Sequence, residues 1–357
     1  MSRSVLVAMS GGVDSSVAAC LLKEQGYDVR GAHMNLVHLD GVEHGCCGPR
    51  ARADAAEVAG VAGIPFEIVD LSDEFASTVI GDFLDEHGAG RTPNPCARCN
   101  GEIKFGAFLR LAEDRGIDFV ATGHYVRSAP GEDGRIRLLR GVDPAKDQSY
   151  MLHMLGQREL SRSLFPVGGM TKEETRRHAE RLGLPVAGKP DSQELCFAPS
   201  GDAGAFVRTH ASGLLRDGEV VDPQGRVLAA HDGTFAFTIG QRRGLGVSTG
   251  ERAYVVDLDA AANRVVVGPG ELLERTGLVA DRVNWIAGAP PDDGPFEALV
   301  RIRYRGEGVA ALVVPSEDGG VRVEFRAPQR GIAPGQSAVF YRNADLLGGG
   351  RIVDAFR

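Results

Sequence analysis

The chain has 357 residues, a formal charge of −8 and 43% hydrophobic residues, which is length enough for two or three domains that each bury a core. The acidic balance argues against a generally basic nucleic-acid coat, yet it is uneven: residues 301–357 hold nine Arg against six Asp or Glu, a net +3, leaving −11 for residues 1–300. Arg3 ahead of an apolar run imitates a signal peptide, but Ser10, Gly11, Gly12, Asp14 and Ser15 interrupt the run too early, and no stretch is apolar for long enough to span a membrane; the expected location is cytoplasmic.

The apolar run Val5 to Met9 reads as a strand, followed by Ser10-Gly11-Gly12-Val13-Asp14-Ser15 and a helix from about Val13 to Gly26. Strand, small-residue loop and helix in this order leave the first helical N–H groups pointing at the loop, with the positive end of the helix dipole behind them. Such a loop attracts phosphate. No lysine follows the glycines, so a GxxxxGK[ST] loop is absent, and a plain capped turn is the competing reading. Val29 to Asn35 and Phe66 to Leu71 read as further strands, with helices over Pro49 to Gly63, Ser72 to His87 and Glu102 to Arg115. Phe119 to Thr122 is a buried strand that leads into Gly123-His124-Tyr125. Alternation of this kind predicts a doubly wound parallel sheet, with Ser10, Met34 and Gly123 meeting at the carboxyl ends of the strands. That crevice favours a functional His124, whereas His33 and His153 read as structural.

Thr171-Lys172-Glu173-Glu174 reads as a capping box that opens a helix ending at Gly183. Beyond about residue 212 the pattern changes to short strands joined by turns, and from Leu278 onward strands recur at the spacing of a small antiparallel barrel. The expected fold class is α/β, divided as a catalytic domain over 1–212, a small β-rich domain over 213–277 and a C-terminal β-barrel over 278–357. Arg301, Arg303 and Arg305 alternate along a predicted strand and should share one face, either solvated or set against phosphate.

Cys96 and Cys99 lie in a predicted loop from Arg91 to Asn100, stiffened by Pro93 and Pro95, and their spacing brings two sulfurs to one side of a turn. Cys196 lies far away in Lys189-Pro-Asp-Ser-Gln-Glu-Leu-Cys-Phe197. Two small buried residues are the bland reading of a lone CxxC; metal or sulfur chemistry is the sharper one. Cys20 reads as core. Cys46 and Cys47 are adjacent, which is awkward for joint ligation of one metal, and three cysteines without a nearby fourth ligand suit zinc poorly.

The Ser10 to Ser15 loop resembles the PP-loop of the ATP-pyrophosphatase superfamily. The segments 9–16, 90–100, 102–106, 121–125, 146–150, 189–197 and 334–341 together resemble, in order, the motifs of the tRNA 2-thiouridylase family. The resemblance implies ATP on Ala8, Met9, Ser10, Gly11, Gly12, Val13, Asp14 and Ser15, with Met34 and Gly123 near its nucleoside and Mg2+ served by Asp14 and Ser15. It implies adenylation of the 2-oxygen of the wobble uridine of tRNA, with Cys99 and Cys196 as catalytic residues: a persulfide on Cys196, supplied by a donor protein, and release through a Cys99–Cys196 disulfide. Thiolate and persulfide are both good nucleophiles near neutral pH. The flipped base is expected on Asn94, Pro95 and Cys96, and the RNA on His124, Lys146, Asp147, Gln148, Arg303, Tyr304 and Gln336. Many members carry Asp at position 96, where this chain has Cys, so a [4Fe–4S] cluster on Cys96, Cys99 and Cys196 with one open iron is an alternative sulfur carrier.

Overall fold

A computed structural model describes residues 2–37, 48–191, 195–198, 203–247 and 252–357. Cys46 and Cys47 lie outside these residues. The first strand, Ser4–Ala8, sits inside a five-stranded parallel sheet in the order Phe66–Asp70, Asp28–Asn35, Ser4–Ala8, Phe119–Ala121, Ser163–Leu164. Its residues alternate between two cores: Leu6 and Ala8 join one, Val5 and Val7 the other. A strand buried on both faces needs a continuous apolar run, as found here.

The helices follow their sequence signals. Val13–Glu24 begins directly after Gly12; Pro49–Ala62 carries Pro at its first turn and ends on Gly63 in the left-handed region, the residue type that tolerates it. Thr171 caps Lys172–Arg181, its hydroxyl accepting from the Glu174 N–H (3.2 Å) while Glu174 accepts from the Thr171 N–H (2.8 Å). Helical structure over 72–88 and again over 95–114 is interrupted by π-helical turns at Ala76–Ile80 and Asn100–Ala107.

The second of these helical stretches corrects the sequence reading. The CxxC pair is not in a loop: helix Pro95–Cys99 already contains it, with Pro95 at the first position and the Asn94 side chain accepting from the Ala97 N–H (3.2 Å). Proline and a capping asparagine together start a helix. Cys96 and Cys99 therefore sit one turn apart, the first exposed and the second buried.

Four short strands form the middle sheet, in the order Tyr254–Asp259, Arg264–Gly268, Gly218–Val221, Val227–His231. The C-terminal strands close on themselves, because Glu274–Trp285 pairs with both Val321–Arg330 and Asp345–Phe356. Closure removes the exposed edges that a small open sheet would carry. A hairpin the sequence reading missed, Val126–Pro130 with Ile136–Arg140, leaves the N-terminal region and joins this sheet through Leu138 and Leu139 against Leu346 and Asp345. Strand Phe296–Arg301 ends at Arg301, so Arg303 and Arg305 lie in the following turn and the expected single face of three arginines is not formed.

The barrel also grips the cysteine segment. Glu86, 3% exposed, accepts from Arg91 Nε (2.6 Å) and Nη2 (2.8 Å) and from Arg351 of the last strand, and Arg351 pairs with Asp281. Gln336 Nε2 donates to the carbonyls of Thr92 (2.9 Å) and Pro93 (3.1 Å), and the Thr92 N–H donates to Pro334 O (2.8 Å).

Candidate active site

The phosphate-loop candidate lies where the strand order reverses, between the neighbours of Ser4–Ala8. Gly11 has φ +68 and a Cβ there would stand 2.1 Å from Ala51 O, so only glycine fits this turn. Gly12 precedes the helix without a side-chain cap, and Ser15 Oγ is held by the Ser10 N–H (3.2 Å) and by its own bond to Gly12 O (3.2 Å). Gly123 comes from the adjacent strand end, and a Cβ on it would fall 2.5 Å from Ser15 N. Gly123 thus meets Asp14 and Ser15 of the loop that begins at Ser10; Met34, half-buried, is the second-last residue of the neighbouring strand.

Around this loop stands a set of charges in which Lys172, Lys189, Asp54 and Asp191 had no role assigned from the sequence. Asp14 Oδ1 accepts from Tyr125 OH (2.7 Å) and Lys172 Nζ (2.7 Å). Lys172 Nζ also contacts Asp191 (2.6 Å), which pairs with Lys146 (2.8 Å), and Lys189 Nζ donates to Gly11 O (2.8 Å) and Asp54 (2.5 Å). Burial and then the Asp14 charge push the Tyr125 phenol well up, so it acts as a hydrogen-bond donor. The Asp191 carboxylate is held low, because its two lysine partners outweigh its burial. A helix N-terminus, a glycine cradle and two lysines whose charge an anion can share fit a polyphosphate, and Asp14 fits its divalent cation. In the sequence Lys172 was visible only as part of the capping box, and Lys189 and Asp191 only as neighbours of Cys196.

Cys99 belongs to the same core as the sheet, and half-buried Cys196 packs against that core. Next to Cys196, Phe197 stands edge-on to Phe83 (5.1 Å) and Phe206 (4.9 Å). A cavity of about 480 Å3 lies here; its walls include Pro93 and Pro95 from the cysteine segment, Leu195 beside Cys196, Phe83 and His87 from helix Gly81–Gly88, and Phe235 from the middle region. Among the described residues no three His, Cys, Asp or Glu side chains are placed to hold one metal ion. The three-cysteine cluster gains no support from this arrangement.

Several residues expected at RNA are engaged inside the protein. His124 is 8% exposed, its Nδ1 bonded to Thr122 Oγ1 (2.8 Å), and burial drives its pKa well down. Asp147 is buried and accepts from Gly141 N, Ser149 N and Arg301 Nη1 (3.1–3.2 Å); Gln148 Oε1 accepts from the Tyr125 N–H (2.9 Å). Lys146 reaches Asp191 and Gln336 the cysteine segment, as above. Arg303 is exposed and donates to Arg330 O (2.6 Å); Tyr304 is half-buried, tilted against Tyr150 at 6.2 Å. Asn94 is half-buried and Pro95 buried, at the start of the cysteine helix.

A parallel sheet with this glycine loop at its switch point defines a PP-loop protein. Residues 3–200 match the family described as the tRNA methyl transferase HUP domain, 205–269 the matching PRC-barrel domain, and 275–352 the aminomethyltransferase beta-barrel domain. The chain is 46% identical over 360 residues to a tRNA-specific 2-thiouridylase MnmA of Geotalea uraniireducens, covering 99% of this chain and 96% of the relative. Similar relatives of the same name come from Chloroflexus aurantiacus, 48% identical over 98% of both chains, and Heliobacterium modesticaldum, 48% identical over 99% of this chain and 93% of the relative. The chain belongs to the tRNA-specific 2-thiouridylase family.

Proposed function

We propose that the protein converts the wobble uridine of tRNA anticodons to 2-thiouridine in the cytoplasm, using ATP with Mg2+. The observation that carries this reading is the cavity whose walls come from both cysteine motifs, in a chain whose parallel sheet bears a phosphate loop at its switch point. Walls formed by Pro95 next to Cys96 and by Leu195 next to Cys196, around a cavity of about 480 Å3, suit sulfur transfer to a base held there. In the division 1–212, 213–277 and 278–357, the first part carries the nucleotide and the cysteines, the second supplies one wall of the cavity, and the barrel holds the cysteine segment.

ATP, bound on residues 8–15 with Met34 and Gly123 beside its nucleoside, supplies the adenylyl group that turns the uridine 2-oxygen into a leaving group. The loop N–H groups and the lysines hold the phosphates, and Asp14 with Ser15 serves the metal. Cys196 receives a sulfur atom from a persulfide donor protein. Its terminal sulfur attacks C2, AMP departs, and the base is left joined to Cys196 through a disulfide. The Cys99 thiolate then attacks Cys196 Sγ; the electron pair of the broken S–S bond goes to the sulfur on C2, and a Cys99–Cys196 disulfide remains for an external thiol to reduce. Cys96, exposed where many relatives carry Asp, lines the approach with Asn94 and Pro95. Lys146, Arg303 and Tyr304 meet the RNA at the surface, while His124, Asp147, Gln148 and Gln336 support that surface from within.

The test is the stoichiometry of tRNA-dependent AMP release. One AMP and one pyrophosphate should appear per 2-thiouridine, and Asp14→Asn should abolish all three while tRNA still binds. Continued thiolation by Asp14→Asn at the normal rate refutes the phosphate-loop assignment.

A further inference from the structure

The cavity contains one polar aromatic side chain whose role the thiolation reading leaves open. His87 is 7% exposed and faces the same space as Pro93, Pro95 and Leu195. Its ring stands edge-on to Phe83, with centroids 4.5 Å apart, and among the described residues neither ring nitrogen has a hydrogen-bond partner. The ring is therefore open to a hydrogen-bond partner that enters the cavity. The volume, about 480 Å3, falls in the range of small-molecule sites, ~300–1,000 Å3.

We propose that His87 is the specificity-determining residue of this cavity and reads the N3 edge of the flipped uracil; the proposal rests on the thiolation reading. When O2 is turned toward the cysteines and the adenylyl group, the edge left for recognition carries N3–H and O4. The unprotonated nitrogen of a neutral imidazole accepts a hydrogen bond from N3–H. Cytosine has an unprotonated N3, so in the same pose it meets the acceptor lone pair of that tautomer, and binding it requires the ring proton on the other nitrogen. Burial holds the His87 ring neutral, its pKa pushed down to about 4 against a smaller opposing pull from Glu86, so the acceptor is present throughout the neutral range. The other wall, with Phe235, supplies an apolar surface for the base. Nothing in the sequence around His87 announces this; it is the second-last residue of an amphipathic helix.

The experiment compares the full chain with His87→Phe, which keeps the ring against Phe83, and with His87→Gln, which restores a side-chain acceptor. For each, kcat/KM is measured on an unmodified transcript, and the inhibition constant of the same transcript with cytidine at the wobble position gives the uridine-to-cytidine preference. His87→Phe should lose about 10- to 100-fold in kcat/KM for the uridine transcript. Its KM for ATP and its affinity for the cytidine transcript should stay unchanged, so that the preference collapses by the same factor; His87→Gln should recover part of it. An unchanged preference in His87→Phe, or a wild-type enzyme that binds both transcripts equally, overturns the proposal. A wild-type enzyme that forms no 2-thiouridine at all overturns instead the reading beneath it.

Discussion

Replacing Glu86 by Gln isolates the grip of the barrel on the cysteine segment. Three charge-assisted hydrogen bonds converge on this buried carboxylate from Arg91 and Arg351, and the substitution leaves two guanidinium groups facing a neutral amide. Breaking a fully buried pair costs about 3–5 kcal/mol. The Arg91 and Arg351 side chains, at 31% and 19% exposure, regain some water, which brings the expected loss to about 2–3 kcal/mol. On a unit of 150–250 residues this lowers Tm by roughly 5–10 °C. The assay is thermal unfolding of wild type, Glu86→Gln, Arg351→Met and the double variant. The double variant should be less destabilised than the sum of the singles, because the Glu86–Arg351 contact is lost only once. Glu86→Gln should also slow thiolation at saturating tRNA while sparing the KM for ATP, since Arg91 and Thr92 position the helix that carries Cys99. Additive losses within about 0.5 kcal/mol, or a Tm that does not move, refute the reasoning.

Acid should unfold the protein early. His87 and His153 are buried with pKa values pushed down to about 4, by burial above all. Each therefore favours the folded state above its unfolded pKa of 6.5, and that contribution, roughly 3 kcal/mol apiece, is lost as pH falls from 6.5 toward 4; His87→Phe should shift the midpoint of an acid titration followed by circular dichroism to lower pH. Glu86, held low by its arginines against its burial, adds a second loss as pH falls through its folded pKa. Lys172→Met should weaken ATP binding measured by calorimetry and leave the affinity for tRNA unchanged. Cys196→Ser and Cys99→Ser should each abolish 2-thiouridine, and only Cys196→Ser should also abolish the 35S label acquired from a persulfide donor, read on a non-reducing gel.

What the sequence made legible were features set by a few adjacent residues. The apolar run before Gly11 and Gly12, the Thr171–Glu174 capping box and the stop at Gly63 each have a local physical cause, and each stands where its residues placed it. Helix Pro95–Cys99 was hidden because two prolines were weighed as loop stiffeners, although Asn94-Pro95 is also a helix start. The hairpin between Val126 and Arg140 was marked by Gly131 to Gly134 at its turn, but its attachment to Asp345 and Leu346 spans some 200 residues of chain and has no local signature. For the same reason the cavity could not be read: its walls come from segments near residues 87, 95, 195 and 235, which only packing brings together. The turn after Arg301 shows the opposite error, in which alternating arginines were extended past the end of the strand.

The most direct measurement is the nucleoside mass spectrum of an unmodified tRNA transcript incubated without oxygen with metal-stripped protein, ATP, Mg2+ and a persulfide donor. The account predicts 2-thiouridine at the wobble position, formed without iron and lost in Cys196→Ser. Product that appears only when iron and sulfide are restored would contradict the cysteine relay, and absence of product under both conditions would contradict thiolation itself.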